Sequence, residues 1–208
     1  MTLMPPPRPI KPANPLVYTG VGSRTTPPSV LARMTQLAYD LGTLSQVGKQ
    51  DYTVRSGNAD GADTAFQRGA AEAESSVIIF MPWAKFNGGC LPSGPGARWV
   101  LYPSKAAMEM AYDFHPAWNR LDPVAKLLHA RNLHQVLGAD LDEPSAFLVC
   151  WTPDGAESKK ETSEETGGTG TAIRVADAYG VPVFNLCNEG AEEDLRAQIG
   201  LDMEGNPL

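Results

Sequence analysis

The chain has 208 residues, of which 42% are hydrophobic and 20% are charged, and its formal net charge is −7. This composition is typical of a globular domain that buries its core without disulfide staples. The negative charge argues against a surface that coats nucleic acid, because such binding depends on Lys and Arg neutralising phosphates. The 3 cysteines form no CxxC pair, so we predict reduced thiols and no metal site.

Residues 1–15 are rich in proline, which predicts an extended segment ahead of a single domain over residues 16–208. The first 15 residues lack the apolar stretch of a signal peptide. No apolar run in the chain is long enough to span a membrane. These features favour a cytoplasmic protein with no membrane partner.

The domain is predicted to begin with a buried strand, Leu16–Thr19, that leads into a first glycine turn, Thr19–Arg24 (TGVGSR). Glycines let the backbone approach a ligand closely, and the free N–H groups of such a turn bind anions. A helix with apolar residues at helical spacing follows over Val30–Val47. The candidate ligand contacts in this turn are Gly20, Gly22, Ser23 and Arg24.

A second predicted strand, Tyr52–Arg55, ends at a second glycine turn, Ser56–Asp63 (SGNADGAD). The two aspartates of this turn suit helix capping, and as acids they also suit a ribose hydroxyl or a metal ion. A helix over Ala62–Ala73 and a third strand over Val77–Met81 complete this part of the pattern. The candidate contacts here are Ser56, Gly57, Asn58, Asp60 and Asp63.

Residues 82–119 interrupt the alternation of strands and helices. The stretch is punctuated by Gly and Pro and is long for a structureless connection, so we predict a functional insertion or lid. One short helix is expected near Lys105–Tyr112. Several large aromatic side chains of residues 82–119 are suited to stacking on bases, but such side chains belong more often to a core or a lid. They are Trp83, Phe86, Trp99 and Trp118.

The second half of the chain resumes the alternation. In chain order, the predicted elements are a helix over Pro123–Leu137, a strand over Ala146–Trp151, an exposed polar loop over Thr152–Thr166, a helix from Gly167–Gly170 to Tyr179, a strand over Val181–Leu186 and a helix over Ala191–Ile199. Alternating strands and helices predict parallel pairing with right-handed crossovers. We therefore predict a doubly wound, Rossmann-like α/β fold with a mainly parallel sheet of five or slightly more strands, covered on both faces.

A third glycine turn, Glu165–Arg174 (ETGGTGTAIR), leads into a helix after a buried strand and is typical of a phosphate site. It lacks the Gly-Lys-Ser/Thr ending of a P-loop and the GxGxxG spacing of the dinucleotide fingerprint. Because ligands bind at the carboxyl ends of parallel strands, we expect the three turns to share one edge of the sheet. The candidate contacts here are Thr152, Gly167, Gly168, Thr169, Gly170, Thr171 and Arg174.

The motifs TGVGSRTTP, VRSGNADGADTAFQRGA and GGTGTAIRVADAYGVPVFNL resemble the SLOG superfamily, the Rossmann-like domains shared by DNA-processing protein A (Smf) and the lonely-guy phosphoribohydrolases. The resemblance covers roughly Leu16 to Leu186. It is strongest to small bacterial and phage-encoded members labelled DNA-recombination-mediator-like. The segment PWAKFNG, residues 82–88, also resembles these members. The resemblance implies a nucleotide bound across the strand ends, in a cytoplasmic homo-oligomer of a bacterial cell or phage-infected host.

The segment HARN, residues 129–132, resembles the arginine element of the lonely-guy branch, so Arg131 and Asn132 are candidate phosphate or ribose contacts. The catalytic glutamate of that branch is replaced here by Arg174. A cation cannot stabilise a developing oxocarbenium ion as a carboxylate does, which weakens the prediction of a phosphoribohydrolase. We therefore assign no catalytic residue.

Three functions remain open from the sequence. The first is binding of a phosphate-bearing nucleotide or nucleotide-derived signal, for sensing or sequestration in an antiphage-signalling context, with no cofactor required. The second is a nucleotide N-glycosidase, and the third is a single-stranded DNA-binding recombination mediator, which the net charge disfavours. The histidines are few and dispersed, so we interpret them as surface or helix residues rather than a metal cluster. They are His115, His129 and His134.

Overall fold

The computed structural model describes Ile10 and residues 16–46, 50–89, 97–203 and 205–206. Strands and α-helices alternate along these ranges, except that β4 follows β3 and α4 follows α3 directly. The strands are β1 Leu16–Gly20, β2 Tyr52–Ser56, β3 Ser76–Phe80, β4 Ala97–Leu101, β5 Phe147–Cys150 and β6 Val183–Asn185. The helices are α1 Pro28–Gln46, α2 Ala62–Glu72, α3 Lys105–Phe114, α4 Pro123–Leu137, α5 Gly170–Ala178 and α6 Ala191–Ile199.

These strands form one parallel sheet in the order β4-β3-β2-β1-β5-β6. In its centre, Tyr18 of β1 lies opposite Val54 of β2 on one side and Phe147 of β5 on the other. The chain winds outward from β1 to β4 and then returns to the far side of β1. The switch point of the topology therefore lies between β1 and β5. The predicted doubly wound, Rossmann-like α/β fold is confirmed.

Apolar side chains fill both faces of the sheet. On β5, Phe147 and Val149 belong to one buried cluster, whereas Leu148 and Cys150 belong to the other. This alternation follows from the period of two along a strand. Helices α1, α2 and α6 cover the first face, and α3, α4 and α5 cover the second. The uninterrupted apolar strands of the sequence are thus explained by burial on both faces.

Capping residues determine where α3 and α4 begin and where α4 ends. Ser104 and Asp122 each accept a hydrogen bond from a backbone N–H three residues on, and so begin α3 and α4. Pro123 is the first residue of α4, where its missing N–H costs nothing. Gly138 ends α4 with a φ of 80°, a conformation that favours glycine.

The region predicted as an insertion contributes to the sheet. Strand β4, which the sequence pattern did not predict, pairs in parallel with β3 as an edge strand. Helix α3 packs its buried face into the same apolar cluster as α4 and α5. Residues 82–119 therefore supply a sixth strand as well as the predicted short helix.

The structure describes little of the proline-rich N-terminal segment and two of the three cysteines. Of the segment 1–15, only Ile10 is described; its N–H donates to Gln198 Oε1 at 3.0 Å. Cys150 is a buried and Cys187 an exposed free thiol, and Cys90 lies outside the described residues. No helix in the described ranges combines the length and apolar character needed to cross a membrane.

The polar loop after β5 is organised around Asp154. The carboxylate accepts hydrogen bonds from Ser163 Oγ at 2.6 Å and from the hydroxyl of Thr166. Burial raises the pKa of Asp154, but these hydrogen bonds outweigh it and lower the pKa to about 2. The loop predicted as simply exposed therefore has an internal hydrogen-bond network.

Candidate ligand-binding site

A cavity of about 350 Å³ lies at the carboxyl ends of β1, β2 and β5, at the switch point of the sheet. Open α/β sheets bind their ligands at this position, and the volume is in the range of small-molecule sites. Residues that follow these three strands line it, together with one side of α4. The lining residues are Val21, Gly22, Ser23, Arg24, Ala59, Asp63, Ala125, Leu128, His129, Arg131, Asn132, Gln135, Gly168, Thr169 and Ala172.

The three glycine turns meet at this cavity, as the sheet geometry predicts. The N–H of Val21 donates to the carbonyl of Val149 at 3.1 Å, and that of Ser23 donates to Trp151 at 3.1 Å. These bonds join the first turn to the end of β5. The predicted contacts that line the cavity are Gly22, Ser23, Arg24, Asp63, Arg131, Asn132, Gly168 and Thr169.

A buried ion pair forms part of the cavity wall. Arg131 Nη1 donates to Asp63 Oδ2 at 3.2 Å and also to the carbonyl of Gly57. Asp63 accepts a second hydrogen bond from the N–H of Ala59 at 3.1 Å. Burial raises the pKa of Asp63 and lowers that of Arg131, while their mutual attraction opposes both shifts. A Cβ at position 57 would collide with the guanidinium, so Gly57 leaves room for Arg131.

His129 lines the cavity as a neutral imidazole. Its Nδ1 lies 2.8 Å from Thr171 Oγ1, and its ring centre lies 4.3 Å from that of His115. Burial, together with the nearby His115, Arg174 and Arg131, lowers the pKa of His129 to about 4. His129 and His134 are buried in α4, which agrees with the prediction of helix residues. In the described ranges no three His, Cys, Asp or Glu side chains are placed to hold a metal.

The mouth of the cavity is open and carries an exposed cation. Arg24 is exposed and makes no ion pair with the described residues. Gly168 is also exposed, and a Cβ added to it would meet no protein atom within 4 Å. Asn132 Nδ2 donates to the carbonyl of Gly168 at 2.9 Å and so fixes this turn against α4.

Some predicted contacts support the turns without lining the cavity. A Cβ on Gly20 would lie 2.5 Å from the ring of Phe66, so glycine lets β1 approach α2. Ser56 Oγ donates to the carbonyl of Gly20 at 2.9 Å and joins the ends of β1 and β2. Gly20 and Ser56 therefore position the turns and do not line the cavity.

Other predicted contacts face away from the cavity. Asn58, with a φ of 59°, donates to the carbonyl of Phe86 at 3.2 Å, and Asp60 is exposed to solvent. Thr152 is buried, and its hydroxyl accepts a hydrogen bond from Asn185 Nδ2 at 2.7 Å. These three residues belong to neighbouring loops.

The remaining predicted contacts surround the start of α5. Arg174 Nε donates to Thr162 Oγ1 at 3.0 Å, and its Nη atoms lie 3.3 Å from the Cβ position of Gly170. Thr171 contacts His129, and Gly167 has a φ of 59° with open space around it. Arg174 thus lies beside the cavity rather than in its wall.

Of the α4 residues that line the cavity, the sequence motifs indicated only Arg131 and Asn132. His129, Asn132 and Gln135 are spaced three residues apart, so they share one side of a helix whose second half is buried. Polar residues at helical spacing in a core helix were the available signal. The lining residues that the sequence did not indicate are Val21, Ala59, Ala125, Leu128, His129, Gln135 and Ala172.

The parallel sheet and the cavity at its switch point define a Rossmann-like α/β domain. No protein-family model matches the chain, and no curated protein matches it. Among solved structures, it is similar to TM1055, a structural genomics target, with 19% identity and a TM-score of 0.45 over 92% of this chain and 84% of that one.

The chain is also similar in structure to DNA processing protein A from Streptococcus pneumoniae. The identity is 20% and the TM-score 0.46, over 89% of this chain and 56% of that protein. This chain thus spans little more than half of its length.

Proposed function

We propose that the protein binds a phosphate-bearing nucleotide, or a signal derived from one, in the cavity at the switch point. One observation carries the proposal: the cavity combines an open mouth with Gly168 and Arg24 and a closed polar wall with Asp63 and Arg131. An anionic group and a polar organic group are thus complementary to its two ends.

The phosphate is assigned to the mouth. Gly168 and Thr169 lie directly before α5, where backbone N–H groups and the helix dipole favour an anion. The open space at Gly168 allows close approach of a phosphate to the backbone. Arg24 adds a cation that no described carboxylate neutralises.

The nucleoside is assigned to the interior. Val21, Leu128 and Ala172 offer apolar walls for a planar ring, as is usual in small-molecule sites. Asp63 and Asn132 supply oxygen acceptors of the kind that bind ribose hydroxyls. The site therefore offers a partner for each part of a nucleotide.

Binding without turnover is favoured over hydrolysis. Asp63 is the one carboxylate among the cavity-lining residues of the described chain, and Arg131 already engages it. Arg174 stands where the lonely-guy branch has its glutamate, and Asp154 and Glu165 do not line the cavity. A carboxylate whose charge Arg131 already neutralises is less able to stabilise an oxocarbenium-like transition state.

Isothermal titration with nucleoside mono- and diphosphates and cyclic nucleotides tests the proposal. We expect at least one nucleotide to bind, and Gly168→Ala to weaken it by at least about tenfold. Because the added methyl meets no protein atom within 4 Å, the melting temperature should be unchanged or slightly higher.

Two exposed arginines provide a matched control. Arg24→Ala should weaken nucleotide binding, whereas Arg68→Ala, on the solvent side of α2, should not. Absence of heat with every nucleotide would refute the proposal. Release of free base during the titration would instead support the N-glycosidase.

A further inference from the structure

The inner end of the cavity contains polar atoms that no protein group satisfies. Gln135 is completely buried and lines the cavity, yet neither atom of its amide has a hydrogen-bond partner among the described residues. Arg131, one turn earlier on α4, has an unpartnered Nε. Such atoms are rare in native proteins. Of the 5 such atoms in the described residues, 3 belong to Gln135 and Arg131 of the cavity wall, which points to a ligand as the missing partner.

The surrounding contacts hold Gln135 and Arg131 in place. The carbonyl of Gln135 accepts a hydrogen bond from Thr19 Oγ1 at 2.7 Å, which fixes this turn of α4 against β1. Arg131 uses Nη1 for Asp63 and Gly57. A Cβ on Gly57 would lie 2.7 Å from Gln135 Nε2, so glycine avoids a clash with this amide as well as with the guanidinium of Arg131.

The amide of Gln135 has a specific chemical complement. It presents a hydrogen-bond donor beside an acceptor, and a nucleobase edge with the reverse arrangement pairs with it through two hydrogen bonds. The Nε of Arg131 requires a further acceptor. Nucleobases carry several such groups around one planar ring, which the apolar walls of the cavity accommodate.

We propose that Gln135 determines which nucleotides the cavity accepts, by hydrogen bonding to a nucleobase edge that carries a donor beside an acceptor. This inference rests on the proposed function and adds the orientation of the ligand. The base lies at the inner end with Gln135, and the phosphate lies at the mouth with Gly168. A ligand with sugar and phosphate but no base gains nothing from Gln135.

Calorimetry with the 5′-monophosphates of adenosine, guanosine, cytidine and uridine, and with ribose 5-phosphate, tests this orientation. In Gln135→Met, which keeps the length of the side chain, the best-bound nucleotide should lose at least about tenfold in affinity. The affinity for ribose 5-phosphate should not change. Without ligand, the variant should melt at a higher temperature, because two unsatisfied buried atoms are removed.

Gln67→Met is the matched control, since Gln67 also has an unpartnered buried Nε2 but does not line the cavity. It should bind every probe as the wild type does. Gln135→Leu provides a second variant, and circular dichroism verifies that each variant is folded.

Two results would overturn the role of Gln135 while leaving the proposed function intact. One is wild-type nucleotide affinity in folded Gln135→Met and Gln135→Leu. The other is an equal loss for nucleotides and for ribose 5-phosphate. If the wild-type protein binds none of these probes, this inference fails. The proposed function fails only if the nucleoside diphosphates and cyclic nucleotides give no heat either.

Discussion

Individual residues at the cavity depend on burial for their properties. His129 has only 9% of its surface exposed, and burial keeps it neutral. Burial also lowers the pKa of His134 and of His115, although His115 is less enclosed. For all three side chains the folded state binds a proton less readily than the unfolded chain, so each lowers the stability of the protein as the pH falls.

We predict that the protein loses stability as the pH falls from about 6.5 to about 4. In this window the unfolded chain binds a proton at His129, whereas the folded protein does not. The shift corresponds to a loss of at most about 3 kcal/mol for this residue. Urea denaturation at several pH values measures it.

His129→Gln should flatten this pH dependence, because glutamine does not titrate but still offers a hydrogen-bonding group to Thr171. An unchanged pH profile in the variant would show that other groups dominate the acid sensitivity.

The sequence identified the glycine turns but not all of the residues that line the cavity. Gly22, Gly168 and Arg24 could be predicted as site residues, because glycine-rich turns at strand ends are a known type of ligand site. Gln135 and His129 were not predicted, because the helical spacing of polar residues in α4 shows that they share a side but not whether that side faces solvent or a cavity. Only the packing of α4 against the sheet decides that.

At the element scale, a buried ionic network fastens α6 to α1. Arg196 donates to Asp40 at 2.8 Å and to Glu192 at 2.9 Å, and Arg33 donates to Glu192 at 2.7 Å. Arg196 is only 2% exposed. This network joins elements that are far apart in the chain, so it secures the last helix to the first.

We predict that Arg196→Met destabilises the protein by about 3–5 kcal/mol, because it leaves a buried carboxylate without its partner. Chemical denaturation measures the change. Lys105→Met is the control, since the Lys105–Glu109 pair is 90% and 69% exposed and should contribute less than about 1 kcal/mol. Equal effects of the two substitutions would contradict the importance of the buried network.

The elements themselves were largely predictable, with one exception. Strand β4 was missed because it is a five-residue edge strand in a stretch rich in Gly, Pro and aromatic residues. Its pairing with β3 is a tertiary contact, which short local patterns do not encode. The long predicted helices, by contrast, are specified by periodic apolar residues and deviate by only a few residues at their ends.

At the scale of the whole molecule, the net charge of −7 bears on the choice of partner. Single-stranded DNA binding needs a basic path with stacking aromatics. Of the aromatics suited to that role, Trp118 is buried, and Trp83 packs edge-on against Phe86 with centroids 5.1 Å apart.

The predicted homo-oligomer stays a prediction.

We predict no measurable binding of a labelled thymidine oligonucleotide, because the protein lacks an excess of phosphate-neutralising cations. Fluorescence anisotropy at about 50 mM and about 200 mM salt measures this, with a basic single-stranded DNA-binding protein as positive control. Binding at low salt that weakens at high salt would favour the recombination mediator.

The neighbouring positions of β1 and β5 have a consequence for biosynthesis. Thr19 and Ser145, which hydrogen-bond to each other at 2.7 Å, are 126 positions apart in the chain. Closing so long a loop is slow compared with forming the local β1–α1–β2–α2 unit. During translation, that unit leaves the ribosome long before α4, β5 and α5. The cavity therefore forms only when the later half of the fold docks against this unit.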